Sequence, residues 1–244
     1  MPAGEGEHGR GLPPGARSNR SFYGRQKGRP LRPKQAERLE RLLPALRIDL
    51  NKHPPGRLSD LYPVPVDDVW LEIGFGSGEH LAHRAAGNPS VGFIGVEPFI
   101  NGHASLIERI DALDLRNVRL LDYEAAPLLD WLPPRSLARV VVLYPDPWPK
   151  RRHWKRRLIS GKTLKKLAKL MQPGSELWLA TDVADYAATS LAAALSSEAF
   201  DWVAKGPEDW RRPFPDWPGT RYEVKAKAAG RRPIYLTFRR RQEA

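Results

Sequence analysis

No cysteine occurs in the 244 residues, which excludes a disulfide framework, a thiolate nucleophile and a cysteine-rich zinc or iron–sulfur site together. That absence fits a reducing compartment. Long apolar runs are missing as well. The longest, around Ala138 to Tyr144, is far short of the about 20 residues that span a bilayer, and the opening MPAGEGEHGRGLPPGARS lacks an apolar signal-peptide core. A soluble, cytoplasmic protein with no membrane contact is expected. Acidic residues are few for the length: 28 Asp and Glu face 40 Lys and Arg, a formal net charge of +12. An excess of that sign calls for a polyanionic partner and says nothing of the fold. The histidines, His8, His53, His80, His83, His103 and His153, form no metal-ligand set; His80 and His83 have no third ligand and no His-Glu-x-x-His pattern. No metal is expected.

The segment 1–34 is rich in Gly, Pro and Arg, with Lys and Arg at eight positions against Glu5 and Glu7 alone. Such a composition cannot offset its ordering entropy by burial, so a mobile basic tail is expected, either a solubilising extension or an arm that contacts nucleic acid. Residues 35–244 read as a single domain. Gln35 to Leu46 has a helical period with Leu39, Leu42, Leu43 and Leu46 on one face. After Pro65, strand-like runs at Val69–Ile73, Phe93–Glu97, Val118–Leu121, Ala138–Tyr144 and Glu176–Ala180 alternate with helical stretches. Two further runs, Arg221–Ala226 and Ile234–Arg239 around Gly230, read as a terminal hairpin. The pattern predicts an α/β fold: a doubly wound, mostly parallel, Rossmann-like sheet of seven strands with a C-terminal antiparallel hairpin.

In such a sheet, ligands bind beyond the carboxyl ends of the strands where strand order reverses. The residues there are acidic: Glu72, Glu97, Asp122, Glu124, Asp146 and Asp182. The glycine loop, Gly74, Gly76 and Gly78, carries Glu79 where a dinucleotide fingerprint needs its last glycine. A carboxylate there opposes a pyrophosphate at the helix N-terminus. S-adenosylmethionine suits the loop better: its carboxylate can use loop N–H groups, its cationic groups can face Glu72, and Glu97 is placed to accept both ribose hydroxyls. Without a ligand, the loop is a tight strand-to-helix turn.

The fourth strand runs into Tyr144–Pro145–Asp146–Pro147–Trp148–Pro149–Lys150. The prolines stiffen an extended segment, and if strand four borders strand one, Asp146 faces the glycine loop's crevice. It is the best catalytic candidate; the alternative is a carboxylate that only solvates a turn. From Lys150 to Lys169 there are ten Lys and Arg and no Asp or Glu. A solvated helix face normally mixes signs, so phosphate binding along a nucleic-acid backbone is favoured. Trp154 either stacks on a base or packs under the basic stems.

Leu71–Glu72–Ile73–Gly74–Phe75–Gly76–Ser77–Gly78, Gly95–Val96–Glu97, the Pro145–His153 box with Lys155–Arg157, Ala180–Thr181–Asp182 and Thr220–Arg221–Tyr222–Glu223 together resemble the bacterial tRNA (guanine-N(7)-)-methyltransferase family, from about Leu71 to Phe238. The Pro-Asp-Pro-Trp box with its basic continuation is the most specific element. The resemblance implies the class I methyltransferase fold, S-adenosylmethionine as cofactor and tRNA as partner, with a guanine in the variable loop as target. It implies cofactor contacts at Glu72, Gly74, Glu97, Glu124 and Asp146, and substrate contacts at Lys150, Asp182, Thr220, Arg221, Tyr222 and Glu223. The family's acid after strand three is usually aspartate; Glu124 stands there, two residues after Asp122. Thr-Arg-Tyr-Glu replaces the commoner Thr-Lys-Phe-Glu.

The N7 lone pair of neutral guanine is free in the ring plane, so methylation there needs neither a covalent nucleophile nor a general base. Asp146 is expected to orient the base and balance the positive charge that develops on it. Arg would read guanine through O6 and N7 and block the nucleophile; a carboxylate, Glu223 or Asp182, can hold the Watson–Crick edge instead. As ordinary roles, Asp182 would cap a helix and Glu223 would pair with a lysine in the hairpin. The rival functions are another RNA methyltransferase, a non-catalytic RNA-binding protein on the same fold, and a nicotinamide dehydrogenase, against which Glu79 argues. Monomer and homodimer are both open.

Overall fold

The computed structural model describes residues 28–242. Most of the expected tail lies outside the described residues, and Pro33 already opens the first helix, α1 (Pro33–Leu46). Proline suits that position because its fixed φ is helical and its missing N–H has no acceptor there. Leu43 and Leu46 are buried, with Leu39 and Leu42 packed beside them, as the leucine period predicts. Among the described residues no helix is long and apolar enough to cross a membrane.

Seven strands form one sheet: β1 (Asp68–Ile73), β2 (Val91–Val96), β3 (Val118–Leu121), β4 (Leu137–Leu143), β5 (Met171–Thr181), β6 (Phe200–Trp202) and β7 (Ile234–Arg240), in the order β3-β2-β1-β4-β5-β7-β6. The first five are parallel; β7 runs antiparallel to both β5 and β6. Between them lie α2 (Glu79–Gly87), α3 (Ile100–Ala112), α4 (Ala125–Trp131), α5 (Gly161–Leu170), α6 (Ala184–Leu195) and α7 (Arg221–Ala228). The central strands are apolar on both faces: Leu71, Ile94, Val140 and Leu177 on one side and Phe93, Val141, Trp178 and Ala180 on the other are buried, as parallel strands covered on both sides must be.

One expectation is corrected. Arg221–Ala226 is not a strand but the body of α7; β7's antiparallel partners are β5 and the three-residue β6. Tyr222 and Val224 mimic a strand's alternation. Thr220 is a helix N-cap whose side chain accepts the Glu223 N–H at 3.1 Å, and the Ala and Lys residues that follow favour helix.

At the opposite edge the entry segment runs beside β3. Arg47 bridges Leu120 in parallel, and the Ile48 N–H donates to the Leu120 carbonyl at 2.8 Å. In the middle, β1 pairs with β4, with Glu72 level with Val141. Strand order reverses there, so the loops after β1 and β4 part and open a crevice.

Candidate active site

The glycine loop forms one wall of that crevice. Gly74 and Gly76 have φ of +77° and +57°, conformations that an L side chain adopts only with strain. Glu72, at the end of β1, is buried and receives a hydrogen bond from His80 Nδ1 on α2 at 2.7 Å. Glu97 follows β2 and accepts the N–H groups of Gly76 and Phe99, both at 3.0 Å. Burial pushes the Glu97 carboxyl above the ordinary carboxylate range, against the pull of those N–H groups, and the negative charge of Asp146 adds to the rise. Asp146 therefore stands near enough to Glu97 for its charge to act on that carboxyl.

Asp146 is exposed on the segment after β4. Tyr144 and Trp148, each preceding a proline, hold φ of +49° and +43°. Left-handed backbone at bulky residues is costly and persists only where the surroundings impose it; here the Tyr144 N–H is fixed to the Ala180 carbonyl at 2.7 Å. After β3 the two acids differ. Asp122 is engaged by Arg47 at 2.7 Å, whereas Glu124, whose carboxyl is raised by burial, makes no ion pair with a described residue.

The Thr220–Glu223 box roofs the crevice. Arg221 donates to Ser77 Oγ of the glycine loop at 2.7 Å. Tyr222 lies over Gly76, where an added Cβ would come within 3.2 Å of its ring. Its ring is near-parallel to that of Tyr144, with centroids 6.4 Å apart and planes at 19°. Glu72, Gly74, His80, Leu143, Tyr144, Thr220 and Tyr222 thus line one cavity. Glu223 is buried and accepts the Trp217 indole N–H at 2.5 Å and the Lys227 ammonium. Burial alone would raise its carboxyl, but hydrogen bonds from Lys227, Trp217 and Tyr235 outweigh it and hold the carboxyl low. Asp182 does not cap α6; Val183 holds the N-cap position, and Asp182 pairs with Arg231 at 2.5 Å.

Lys150, four residues after Asp146, is exposed and precedes a 3-10 helix, Arg151–Arg156. The basic run is not uniform. Arg157 is buried, Lys166 pairs with Asp130, and the Trp154 ring lies beneath Arg157 and Arg151, at 4.5 and 5.5 Å from the guanidinium carbons. Lys150, Arg151, Arg152 and Lys155 remain exposed. Sequence reasoning missed His80, Arg84, Tyr144 and Trp217 as parts of the site. Their partners are set by tertiary packing, and only the i, i+4 spacing of His80 and Arg84 on one helix was a readable signal. Among the described residues no group of three or more His, Asp or Glu could hold a metal ion.

Residues 67–236 match the family model described as putative methyltransferase, and the fold and crevice are those of a methyltransferase. A solved structure of a putative methyltransferase from Thermoplasma acidophilum superposes at a TM-score of 0.49 and 20% identity, over 74% of this chain and 70% of that one. The chain belongs to the tRNA (guanine-N(7)-)-methyltransferase family. It is 50% identical over 226 residues to the protein of that name from Rhizobium meliloti (strain 1021), covering 93% of this chain and 97% of the relative. The protein of the same name from Agrobacterium fabrum (strain C58 / ATCC 33970) is 49% identical over 226 residues, with the same coverage.

Proposed function

We propose that this chain transfers a methyl group from S-adenosylmethionine to N7 of a guanine in the tRNA variable loop, in the cytoplasm, forming 7-methylguanosine. The observation that carries the reading is the seating of the Thr220–Glu223 box on the glycine loop, through Arg221 and Ser77 and through Tyr222 and Gly76. It brings the end of β1, the glycine loop and the box around one cavity, lined by Glu72, Gly74, Tyr144, Thr220 and Tyr222.

The residues fit the cofactor. Open space lies where a Gly74 Cβ would stand. The donor set is acidic, suited to a cationic ligand with two ribose hydroxyls. Each Glu97 oxygen accepts one backbone N–H, which leaves lone pairs for a hydroxyl at each. Glu124, without the ion pair that occupies Asp122, is the acid available to the adenine. When bound, S-adenosylmethionine supplies an electrophilic methyl on sulfonium, which the in-plane N7 lone pair of neutral guanine accepts as the C–S bond breaks.

The chain's own residues orient and balance charge. Asp146, on a backbone stiffened by its flanking prolines, presents its carboxylate to the base as it becomes cationic, and preorganised electrostatics of this kind are worth about 3 kcal/mol. Glu223 and Asp182 supply carboxylates for the Watson–Crick edge, which leaves N7 open. Both have partners here, Trp217 and Lys227 for Glu223 and Arg231 for Asp182, and a base would share them. Lys150, Thr220 and Arg221 anchor the neighbouring phosphate and ribose, and the exposed basic residues after Lys150 carry the backbone further away. Incubation with S-adenosylmethionine and unmodified tRNA, followed by nuclease digestion and mass spectrometry, tests the reading. 7-Methylguanosine mapped to the variable loop is expected; a different methylated nucleoside, or none, refutes it.

A further inference from the structure

His80 has a role that the reaction scheme above does not assign. It lies in the first turn of α2 and is 2% exposed. Its Nδ1 stands 2.7 Å from Glu72 Oε2, and its Nε2 faces Arg84 Nε at 3.3 Å, one helical turn on. A guanidinium has donors only. The nitrogen opposite Arg84 must therefore accept, so the ring proton sits on Nδ1 and is donated to Glu72. Arg84 is itself held, 4% exposed, by the Pro215 carbonyl and by Asp216 at 3.2 Å. The chain Asp216–Arg84–His80–Glu72 thus runs from a loop back to the acid at the end of β1, 144 residues earlier in the sequence.

The His80 ring also packs against Trp217, centroids 5.3 Å apart, and Trp217 is the donor that holds Glu223. The cofactor-side and substrate-side carboxylates are thereby held by two packed rings, the buried His80 and the half-buried Trp217. A carboxylate with one oxygen satisfied by a fixed donor has its rotamer locked and its second oxygen aimed, in the way that outer-shell partners orient histidine ligands at metal sites.

We propose that His80 is a positioning residue: in an Nδ1–H tautomer enforced by Arg84, it fixes the Glu72 carboxylate for the cationic end of the cofactor. The inference deepens the methyl-transfer reading and rests on it only for the identity of the ligand that Glu72 meets.

Two measurements on the full chain test it. Long-range nitrogen–proton NMR of histidine-labelled protein, with His80 assigned by its loss in His80→Asn, is expected to show a protonated Nδ1 and an unprotonated Nε2. In Arg84→Met that tautomer lock is lost. Calorimetric titration with S-adenosylmethionine separates the variants. His80→Phe keeps the ring against Trp217 but not the donor, and its dissociation constant should rise about 10- to 100-fold, the scale of a lost hydrogen bond to a buried charged group. His80→Asn places an amide nitrogen where Nδ1 stood and should recover most of that loss. An Nε2–H tautomer in the wild type, wild-type affinity in His80→Phe, or no recovery in His80→Asn despite an unchanged melting temperature overturns the proposal. A wild-type chain that binds no S-adenosylmethionine overturns the methyl-transfer reading instead, and the NMR tautomer then still decides whether Arg84 and His80 hold Glu72.

Discussion

Arg157 belongs by sequence to the basic run that follows Asp146, yet its structure is that of a buried strut. Its side chain is 3% exposed. Nε donates to the Pro147 carbonyl at 2.9 Å, one terminal nitrogen to Thr189 Oγ1 at 2.7 Å, and the other to Asp185 at 2.5 Å. Its guanidinium carbon stands 4.5 Å from the Trp154 ring centroid and 5.1 Å from that of Tyr186. Breaking a fully buried ion pair from one side costs about 3–5 kcal/mol. Asp185, however, is 51% exposed and regains water, so the low end applies. Arg157→Met keeps the apolar stem and is expected to cost about 3 kcal/mol, roughly 6–12 °C in melting temperature for a chain of this size. Arg152→Met, at an exposed position, should change stability by no more than about 0.5 kcal/mol. Thermal unfolding followed by circular dichroism measures both. An Arg157→Met protein that melts within about 2 °C of the wild type would refute the reasoning and return Arg157 to the residues that bind phosphate.

Asp146→Asn should lower the methyl-transfer rate constant about 100-fold or more, while tRNA affinity by filter binding stays within about twofold; an equal loss in both would make Asp146 a binding group. The raised carboxyl of Glu97 carries a sign. Hydroxyl recognition by acceptor oxygens needs the ionised form, so cofactor affinity should fall as pH drops through a range above that of ordinary carboxylates, and Glu97→Gln should bind weakly without that dependence. Because the folded state holds that proton longer than the unfolded chain, Glu97 itself takes stability away as pH rises through the same window. Replacing Lys150, Arg151, Arg152 and Lys155 together with Gln should flatten the salt dependence of tRNA binding by about 0.7–0.9 in log–log slope for each phosphate that is no longer neutralised; an unchanged slope would place the tRNA elsewhere.

The parallel half of the sheet was legible because its strands are buried on both faces and read as unbroken apolar runs. With it came the acids at the carboxyl ends, since topology alone brings Glu72, Glu97 and Asp146 to one rim. The terminal region was not legible in the same way. Tyr222 and Val224 are exposed on a short helix, where no buried face contradicts a strand's alternation, and only the Thr220–Glu223 spacing signals a helix start. β6 is too short, at three residues, to show a period. Of the four site residues missed, Arg84, Tyr144 and Trp217 meet partners from distant parts of the chain, and His80 meets Glu72, eight residues back, only because the glycine loop turns α2 onto the end of β1. Trp217 meets His80 although the two stand 137 positions apart in the sequence, a distance over which no local pattern carries information.

The strap formed by Arg47 and Ile48 along β3 bears on where the folding unit ends. A sheet edge left bare is a template for pairing with another molecule. Here the chain's own approach to the domain occupies that edge: the Ile48 N–H meets the Leu120 carbonyl, while Arg47 neutralises Asp122 in the loop just beyond it. At the far side, β7 continues to Arg240 and holds β6 through Phe200. The 67–236 span shared with the broader methyltransferase family stops short on both sides. A fragment cut to that span would expose β3, strip Asp122 of its counter-charge and remove the residues of β7 that pair with β6, which makes it prone to self-association rather than a minimal enzyme.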